Sequence, residues 1–332
     1  MPTLVIQTAF LGDVVLTTPL LSALAARNGP VDVVTTPIAA PLIETHPAVR
    51  QVIPYDKRGS DRGWKGVTAL GRRLKAQHYD RAFLPHRSLR TAALALLARI
   101  PSRTGFTGTW SFLYTDTRPK PRTGHESDRL LALADQPPGA YPPQLRPTAE
   151  DEQAAAALLD ETFVALAPGS MWGSKRWPYY AELAARLPKD VAVVVVGGRE
   201  DAELGEEIRK AAEGGGGRRA VVNACGRLTL RQSAALIGRA LLLVTNDSAP
   251  LHLATAMGTP VVALFGPTVT EFGFGPLGAG DEALGVDGLL CRPCSSHGPP
   301  QCPLGHHRCM RDLTVEAVLT AIEDLGALRP RN

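Results

Sequence analysis

An aspartate near the start of the chain stands where a catalytic base could act. Residues 3–9 form a short, apolar run predicted to be a strand, and Gly12-Asp13 follows directly. A carboxylate in such a loop can take the proton from an attacking hydroxyl group. It can equally cap the following helix, although Thr18-Pro19 also resembles a helix start. Spacing alone leaves both roles open for Asp13.

A second segment, residues 168–178, places small residues, a hydroxyl group and two cations between a predicted strand and a predicted helix. This composition suits a phosphate group, because backbone N–H groups, a helix dipole and a positive side chain all favour an anion. The segment is not a P-loop, since no Gly-Lys-Ser/Thr order occurs in it. Lys175 is the candidate for neutralising the phosphate charge.

A third segment, residues 245–252, again runs from a strand into a helix. Ser248 and the backbone around Ala249 are predicted to hold a diphosphate at the helix start, with His252 one turn inside. Asp247 would repel that diphosphate, so we expect it to accept hydrogen bonds from a neutral hydroxyl group or from the helix backbone. A helix cap is the alternative role for Asp247, and a core position is the alternative for His252.

Two familiar signatures are missing or unconvincing. No Asp-x-Asp pair occurs in the sequence, so a metal-clamped diphosphate has no candidate ligands. Residues 273–278 match G-x-G-x-x-G, but Pro276 interrupts the match and no helix plainly follows. We therefore expect Lys175 and helix dipoles to neutralise the diphosphate without Mg²⁺.

Four cysteines are clustered near the C-terminus, with histidines at 297, 306 and 307 between them. Their order is Cys291-x₂-Cys294-x₇-Cys302-x₆-Cys309. In a reducing compartment this pattern indicates a structural zinc site before it indicates disulfides. The second pair lacks the usual knuckle spacing, so free thiols and oxidation-dependent disulfides remain alternatives. Cys225 is isolated and is predicted to be a core residue.

These segments follow strands in a chain that alternates strands with helices, which predicts parallel βαβ units. Unbroken apolar runs such as 191–196 indicate strands with helices on both faces. Residues 136–147 contain five prolines and are predicted to be a linker. The predicted architecture is α/β, with two doubly wound, Rossmann-like parallel sheets facing across a cleft, in domains 1–150 and 151–332. Ligands of such sheets bind at the carboxyl ends of the strands.

Composition and charge narrow the class of protein. The 332 residues are 44% hydrophobic and 20% charged, which is typical of a soluble globular protein. The chain shows neither a membrane span nor a secretory signal, so a cytoplasmic location is expected. Residues 1–150 carry 19 basic and 11 acidic residues, whereas the remainder carries 17 and 21. The excess is densest over residues 50–90 and favours an anionic partner.

Taken in order, these motifs resemble glycosyltransferase family 9 over nearly the whole chain. The family contains the ADP-heptose:lipopolysaccharide heptosyltransferases, and the Lys-Arg-Trp-Pro motif at 175–178 is most similar to the heptosyltransferase II branch. The motifs that carry the resemblance are Gly12-Asp13, Thr17-Thr18-Pro19, Leu84-Pro85-His86-Arg87-Ser88, residues 100–106, Pro168-Gly169, residues 175–178, Asn246-Asp247-Ser248, His252 and residues 264–268.

The resemblance implies a GT-B fold and an inverting, metal-independent transfer of heptose from ADP-heptose to an inner-core sugar of lipopolysaccharide. It implies that Asp13 is the general base and that Lys175 binds the donor phosphates. The other implied donor-binding residues are Gly12, Ser170, Met171, Glu200 (ribose), Leu228 (adenine), Asp247, Ser248, Ala249 and His252. The implied acceptor-binding residues are Lys57, Arg58, Arg62, Lys65 and Arg87. The chain departs from many members at Ala249-Pro250, where they have glycine.

The implied partners are a nucleotide-sugar donor and an anionic glycolipid acceptor, with peripheral contact to the inner-membrane surface and no nucleic acid. No cofactor is expected for catalysis, and zinc is considered only as a structural ion at the cysteines. Two alternatives remain at this point. One is a glycosyltransferase of the same family that uses another nucleotide sugar or acceptor, and the other is a non-catalytic module that binds a nucleotide or sugar.

Overall fold

The computed structural model describes residues 2–214 and 220–328, so residues 215–217 of the predicted glycine run lie outside the described part. The chain divides into two compact units, Met1–Arg146 and Pro147–Asn332. The division falls within the proline-rich stretch 136–147. Proline cannot continue a helix or a central strand, which explains why regular structure pauses there.

The first unit contains one parallel sheet with helices between its strands. Its strands are β1 (Thr3–Ile6), β2 (Val31–Thr35), β3 (Val49–Pro54), β4 (Arg81–Leu84), β5 (Ser102–Phe106) and β6 (Asp116–Arg118). Its helices are α1 (Leu11–Leu16), α2 (Thr18–Asn28), α3 (Ala40–Ile43), α4 (Gly63–Lys75), α5 (Leu89–Leu97) and α6 (Glu126–Leu131).

The second unit repeats this plan. Its strands are β7 (Phe163–Ala167), β8 (Ala192–Val195), β9 (Val221–Asn223), β10 (Leu242–Asn246), β11 (Val261–Phe265) and β12 (Glu282–Gly285). Its helices are α7 (Ala149–Ala156), α8 (Tyr180–Arg186), α9 (Ala202–Gly214), α10 (Leu230–Arg239), α11 (Ala249–Met257), α12 (Arg308–Arg311) and α13 (Val315–Asp324).

Both sheets have the strand order of a doubly wound fold, as predicted. The first sheet runs β3-β2-β1-β4-β5-β6 and the second β12-β11-β10-β7-β8-β9, with every neighbouring pair parallel. The order reverses between β1 and β4 and between β7 and β10. Ligands of such sheets bind beyond the carboxyl ends at this reversal. Asp13 lies in α1, the helix that follows β1, and the connections that leave β4, β7 and β10 contain Arg87, Lys175 and Asp247.

Burial in the hydrophobic cores explains which strands could be predicted from the sequence. Strands β2, β7 and β11 are buried along their whole length and have the predicted bounds. Three strands were not predicted, namely β5, β6 and β12. Strands β6 and β12 are edge strands without a fully buried residue, and β5 begins with the half-buried Ser102-Arg103. Their residues therefore lack the apolar run that marks a central strand.

Within the described residues, no helix is both long enough and apolar enough to cross a membrane.

His46 lies between α3 and β3, and its side chain is buried in the first unit. The residue is 1% exposed, and its Nδ1 atom accepts a hydrogen bond from the Ala48 N–H at 3.1 Å. Burial, helped by the nearby Arg146, lowers the pKa of His46 from 6.5 to about 4. The folded protein therefore keeps this imidazole neutral under conditions in which the unfolded chain would protonate it.

We predict that His46 makes stability depend on pH between 6.5 and about 4. Above pH 6.5 the imidazole is neutral in both states, so its contribution is constant. As the pH falls from 6.5 to about 4, only the unfolded chain binds the proton, and the free energy of unfolding drops by about 3 kcal/mol. His46→Asn keeps an acceptor for the Ala48 N–H but cannot be protonated, so it should lose less stability across this window. Urea unfolding at several pH values measures the difference, and parallel curves for the two proteins would contradict the prediction.

Candidate functional site

Asn246, the last residue of β10, fastens the loop that leaves β7. Its Oδ1 atom accepts hydrogen bonds from the Trp177 backbone N–H at 3.2 Å and the Tyr180 hydroxyl at 3.3 Å. Its Nδ2 atom donates to the Pro168 carbonyl at 2.8 Å. Burial raises the pKa of Tyr180 well above its usual value, so the phenol keeps its proton. The two ends of segment 168–178 are thereby held against the carboxyl end of the sheet.

Lys175 and Asp247 form a buried ion pair at this edge of the sheet. The Lys175 Nζ atom lies 2.5 Å from Asp247 Oδ2 and 3.2 Å from the Asp247 carbonyl oxygen. The two residues are 7% and 9% exposed. Thr268, on the loop that leaves β11, donates a second hydrogen bond to Asp247 Oδ2 at 2.6 Å. Lys175 and Asp247, both predicted site residues, thus contact each other directly. Thr268, which was not predicted as a site residue, also hydrogen-bonds to Asp247.

This geometry shows which contacts the Asp247 side chain makes. Ser248, not Asp247, is the N-cap of α11. The Asp247 carboxylate instead accepts hydrogen bonds from Lys175 and Thr268. The alternative of a helix cap is therefore wrong. Because Lys175 balances the carboxylate charge, Asp247 opposes the approach of an anion less than an isolated carboxylate would.

The start of α11 presents a hydroxyl group and backbone at the same edge. The Ser248 side chain makes no capping hydrogen bond, and its buried Oγ atom has no partner among the described residues. Ala249 begins the helix. His252 is 6% exposed, and its ring packs edge-on against Phe274 with 6.2 Å between the centroids. Ser248, Ala249 and His252 thus lie together beside Asp247, as the sequence predicts.

The segment that carries Lys175 differs from the prediction in one respect. Lys175 ends a short 3-10 turn (Gly173–Lys175), and α8 begins only at Tyr180. The predicted helix start at Pro178 is wrong, and α8 is too far along the chain for its first turn to act at Lys175. Ser170 is half-buried and accepts a hydrogen bond from the Trp172 N–H at 3.2 Å, while Met171 is 70% exposed.

Glu200 and Leu228, the residues predicted for the ribose and adenine, lie on the loops that leave β8 and β9. Glu200 is exposed in a 3-10 turn, and Leu228 is half-buried immediately before Thr229, the N-cap of α10. Asp201, which the sequence reasoning missed, is buried between loops. Its Oδ2 atom accepts a hydrogen bond from the Gly198 N–H at 3.0 Å, and a Cβ at Gly169 would lie 2.3 Å from that oxygen. Burial raises the pKa of Asp201.

The cysteine segment does not form the predicted zinc site. Among the described residues, no three Cys, His, Asp or Glu side chains form a group that could hold a metal ion. All the cysteines are free thiols, so the disulfide alternative is not observed either. The Cys294 thiol donates to the Cys291 carbonyl at 3.1 Å, and Cys309 is buried in the core beside α13. Burial raises the pKa of Cys309 to about 11 and that of the core residue Cys225 to about 12.

In the first unit, Asp13 lies inside α1 and not at its N-cap. The predicted continuous helix is two helices, α1 and α2, which meet at Thr17. Asp13 Oδ2 accepts a hydrogen bond from the Phe10 backbone N–H at 3.0 Å and so satisfies a donor at the start of α1. Gly12 is buried beside it, while Asp13 itself is half-buried. The structural role of Asp13 is thus real, and it keeps the carboxyl group near the end of β1.

Lys57 lies within electrostatic reach of Asp13 and of two other cations. Its ammonium group donates to the carbonyl oxygen of Thr8, two residues after the end of β1. Burial, together with the charges of Arg58 and Arg90, lowers the pKa of Lys57, whereas the nearby Asp13 raises it. Arg90 was not predicted as a site residue. The other predicted acceptor-binding cations, Arg58, Arg62, Lys65 and Arg87, are all exposed.

A cavity of about 280 Å³ lies between the starts of α4 and α5, next to these cations. It is lined by Gly63, Trp64, Val67, Ser88, Leu89 and Arg90. Trp64 is 59% exposed, which is unusual for a large aromatic side chain and leaves its ring available to a ligand. Sequence reasoning marked the basic residues here but not the tryptophan.

Comparisons with known proteins agree with this arrangement. The profile of glycosyltransferase family 9 (heptosyltransferase) matches residues 67–303. Lipopolysaccharide heptosyltransferase 2 of Salmonella typhimurium is 31% identical over 82% of this chain and 84% of its own length. Lipooligosaccharide heptosyltransferase 2 of Haemophilus influenzae is 31% identical over 98% and 99%. The solved structure of the Escherichia coli ADP-heptose lipopolysaccharide heptosyltransferase II is 28% identical, covers 98% of each chain and superposes with a TM-score of 0.78. This protein is a glycosyltransferase enzyme, and the chain belongs to glycosyltransferase family 9.

Proposed function

We propose that the protein transfers heptose from ADP-heptose to an inner-core sugar of lipopolysaccharide, with inversion at the anomeric carbon and without a catalytic metal ion. The names of the similar proteins from Salmonella, Haemophilus and Escherichia coli support this donor and acceptor. The single observation in the structure that carries the proposal is the buried Lys175–Asp247 pair beside the start of α11.

The donor diphosphate is proposed to bind where Lys175 meets α11. An ammonium group has three N–H donors, so Lys175 can hold Asp247 and a phosphate oxygen at the same time. The Ser248 hydroxyl and the Ala249 N–H would complete the phosphate site, with His252 at its end. As the glycosidic bond breaks, negative charge grows on the leaving ADP, and these fixed donors stabilise it. They provide this stabilisation without a metal ion.

The rest of the donor is proposed to extend over the neighbouring loops of the second unit. Leu228 would pack against adenine, and the exposed carboxylate of Glu200 would accept hydrogen bonds from the ribose hydroxyl groups. Ser170 and Met171 would flank the diphosphate. Asp247, held by Thr268, would accept a hydrogen bond from a heptose hydroxyl group.

Asp13 is proposed to be the general base. It would take the proton from the acceptor hydroxyl group as the oxygen attacks the anomeric carbon on the face opposite ADP. Lys57 interacts electrostatically with Asp13 and with Arg90. These two cations would also attract the acidic groups of the acceptor.

The acceptor is proposed to bind the first unit through its anionic groups. Its phosphates and carboxylates would meet the cations of the basic region, which are the half-buried Lys57 and the exposed Arg58, Arg62, Lys65 and Arg87. An acceptor anchored in lipid would bring this basic region to the anionic inner-membrane surface, where each cation near the surface adds about 1 kcal/mol of attraction. The enzyme would then act from the cytoplasm as a peripheral protein.

A screen of nucleotide sugars tests the choice of donor. We expect ADP and ADP-heptose to stabilise the protein by about 2.7 kcal/mol at 100 times their dissociation constants, since a ligand that binds only the folded state adds that much. At the same ligand concentrations, uridine and guanosine analogues should bind more weakly and therefore stabilise the protein less. Thermal unfolding at fixed protein concentration measures the shifts, followed by an assay of ADP release with heptose-deficient lipopolysaccharide. Binding of ADP without transfer to any core acceptor would favour a non-catalytic role, and preference for another base would favour another donor.

A double variant separates the catalytic role of Lys175 from its contribution to stability. Lys175→Met should reduce kcat/KM for the donor by about 10²–10³, the loss typical of a removed transition-state donor. It also leaves Asp247 buried without its cation, which destabilises the protein. The double variant Lys175→Met/Asp247→Asn has no charge in the pair, so it should regain stability yet stay inactive. A stable double variant with the donor affinity and turnover of the wild type would refute the role of Lys175.

Asp13→Asn tests the base with little change in structure. The asparagine side-chain oxygen can still accept the Phe10 N–H hydrogen bond, but it cannot take a proton at neutral pH. We expect kcat to fall about 10²–10⁴-fold, the usual contribution of a general base, with ADP affinity unchanged. Asp128→Asn, on α6, changes a carboxylate elsewhere in the same unit and should keep activity within about twofold of the wild type. Near-normal turnover by Asp13→Asn would show that another group acts as the base.

A further inference from the structure

The cysteine-rich segment 291–309 packs against the turn that carries Lys175. The Ser174 hydroxyl donates to the Pro299 carbonyl, and the Ser174 carbonyl lies 2.7 Å from His307 Nε2. A carbonyl oxygen only accepts hydrogen bonds, so the imidazole is the donor, with its proton on Nε2. Gly173 also lies close to the segment, because a Cβ there would be 2.6 Å from the Pro300 carbonyl oxygen. The backbone on both sides of Ser174 is thus held from outside the turn.

The same segment encloses the Lys175 side chain. Gly298 has a φ of +79°, and a Cβ on it would lie 3.2 Å from Lys175 Cε and 3.3 Å from Ser174 Oγ. Positive φ and lack of space both favour glycine at this position. The Lys175 methylene chain therefore runs directly beneath residue 298, which limits where its ammonium group can point.

The segment also holds the loop that carries Thr268, the second partner of Asp247. The Cys294 N–H donates to the Pro267 carbonyl at 2.8 Å. Arg292 Nε donates to the Gly266 carbonyl at 2.8 Å. One stretch of chain therefore contacts both loops whose side chains hydrogen-bond to the Asp247 carboxylate.

His307 has an unusual conformation for this task. Its φ is +51°, a left-handed conformation that residues other than glycine adopt uncommonly and at some energetic cost. Its backbone N–H donates to Cys302 Sγ at 3.4 Å, which fastens the turn within the segment. Such conformations persist where surrounding contacts impose them, and His307 is held both at its backbone and at its ring.

We propose that His307 is a positioning residue for the transfer reaction. By holding the Ser174 carbonyl, it fixes the turn and with it the position of the Lys175 ammonium group for the donor diphosphate. The histidine itself does not touch the donor. The expected effect of His307 on donor binding rests on the proposed function, whereas its expected effect on the backbone of the turn does not.

The kinetic test compares two substitutions at one position with one at the neighbouring position. His307→Phe keeps a ring but removes the donor, whereas His307→Gln keeps an N–H at the same number of bonds from the backbone. We expect His307→Phe to raise the Kd for ADP and the KM for the donor about fivefold to tenfold, the equivalent of one hydrogen bond, with the KM for the acceptor unchanged. His307→Gln should recover most of the loss. His306→Phe is the matched control and should stay within about twofold, because His306 contacts Cys291 and not the turn.

A structural measurement separates this inference from the choice of donor. Hydrogen–deuterium exchange should become several-fold faster for the Lys175 and Arg176 amides in His307→Phe, since these N–H groups donate to the Trp172 and Gly173 carbonyls at the start of the turn. His306→Phe should leave them unchanged. Wild-type protein that binds no ADP speaks against the proposed donor, while the exchange result still decides the role of His307.

A second variant covers the case in which His307→Phe fails to fold. His307→Ala removes the hydrogen bond to the Ser174 carbonyl without placing an apolar ring beside it, and it should weaken ADP binding in the same way. The inference is overturned if exchange at the turn is the same in His307→Phe and wild type. It is equally overturned if His307→Ala leaves the turn and ADP affinity unchanged where His307→Phe cannot be tested, or if His307→Gln loses as much donor affinity as His307→Phe.

Discussion

The second unit of the protein is organised around one buried ion pair, that of Lys175 and Asp247. Removing two charges from water costs several kcal/mol for each ion, and the pair offsets that cost only with close contact and further hydrogen bonds. Thr268 supplies one of these, and the Asp247 backbone supplies another to the lysine. The loops that leave β7, β10 and β11 must therefore adopt one mutual arrangement. Small displacements of any one loop would leave a buried charge without its partner.

The same pair explains how an acidic residue can stand beside a site for an anion. Asp247 makes the local charge of the pair neutral, so it costs some attraction for a diphosphate. In return, Asp247 fixes the Lys175 side chain before a ligand binds. Ordering a flexible lysine on the ligand would otherwise cost about 2 kcal/mol in conformational entropy. The additional attraction comes from the start of α11, where the buried Ser248 hydroxyl is available. Fixed donors of this kind need no rearrangement as charge develops, which is the physical basis of electrostatic catalysis.

Sequence reasoning succeeded where a local pattern reflects a local cause. The apolar runs of β2, β7 and β11 required burial on both faces, and their bounds follow from it. The pairing of Lys175 with Asp247 is different, because it joins residues 72 positions apart and depends on strand order. The sequence marked both residues as parts of an anion site but could not show that they touch. Asp201 and His307 were missed for the same reason, since each acts on a loop remote in sequence.

The two units use the end of a doubly wound sheet in physically opposite ways. In the second unit the charges are buried and paired, so solvent and salt reach them little. In the first unit Arg58 and Arg90 act on Lys57 through like charge, and together with burial they lower its pKa. Binding of an anion to such a cluster is favourable, because the ligand relieves repulsion between the cations. This favourable contribution becomes smaller as salt screens the charges. The proposed small donor suits the buried, paired charges of the second unit, whereas the proposed anionic glycolipid suits the more exposed cations of the first.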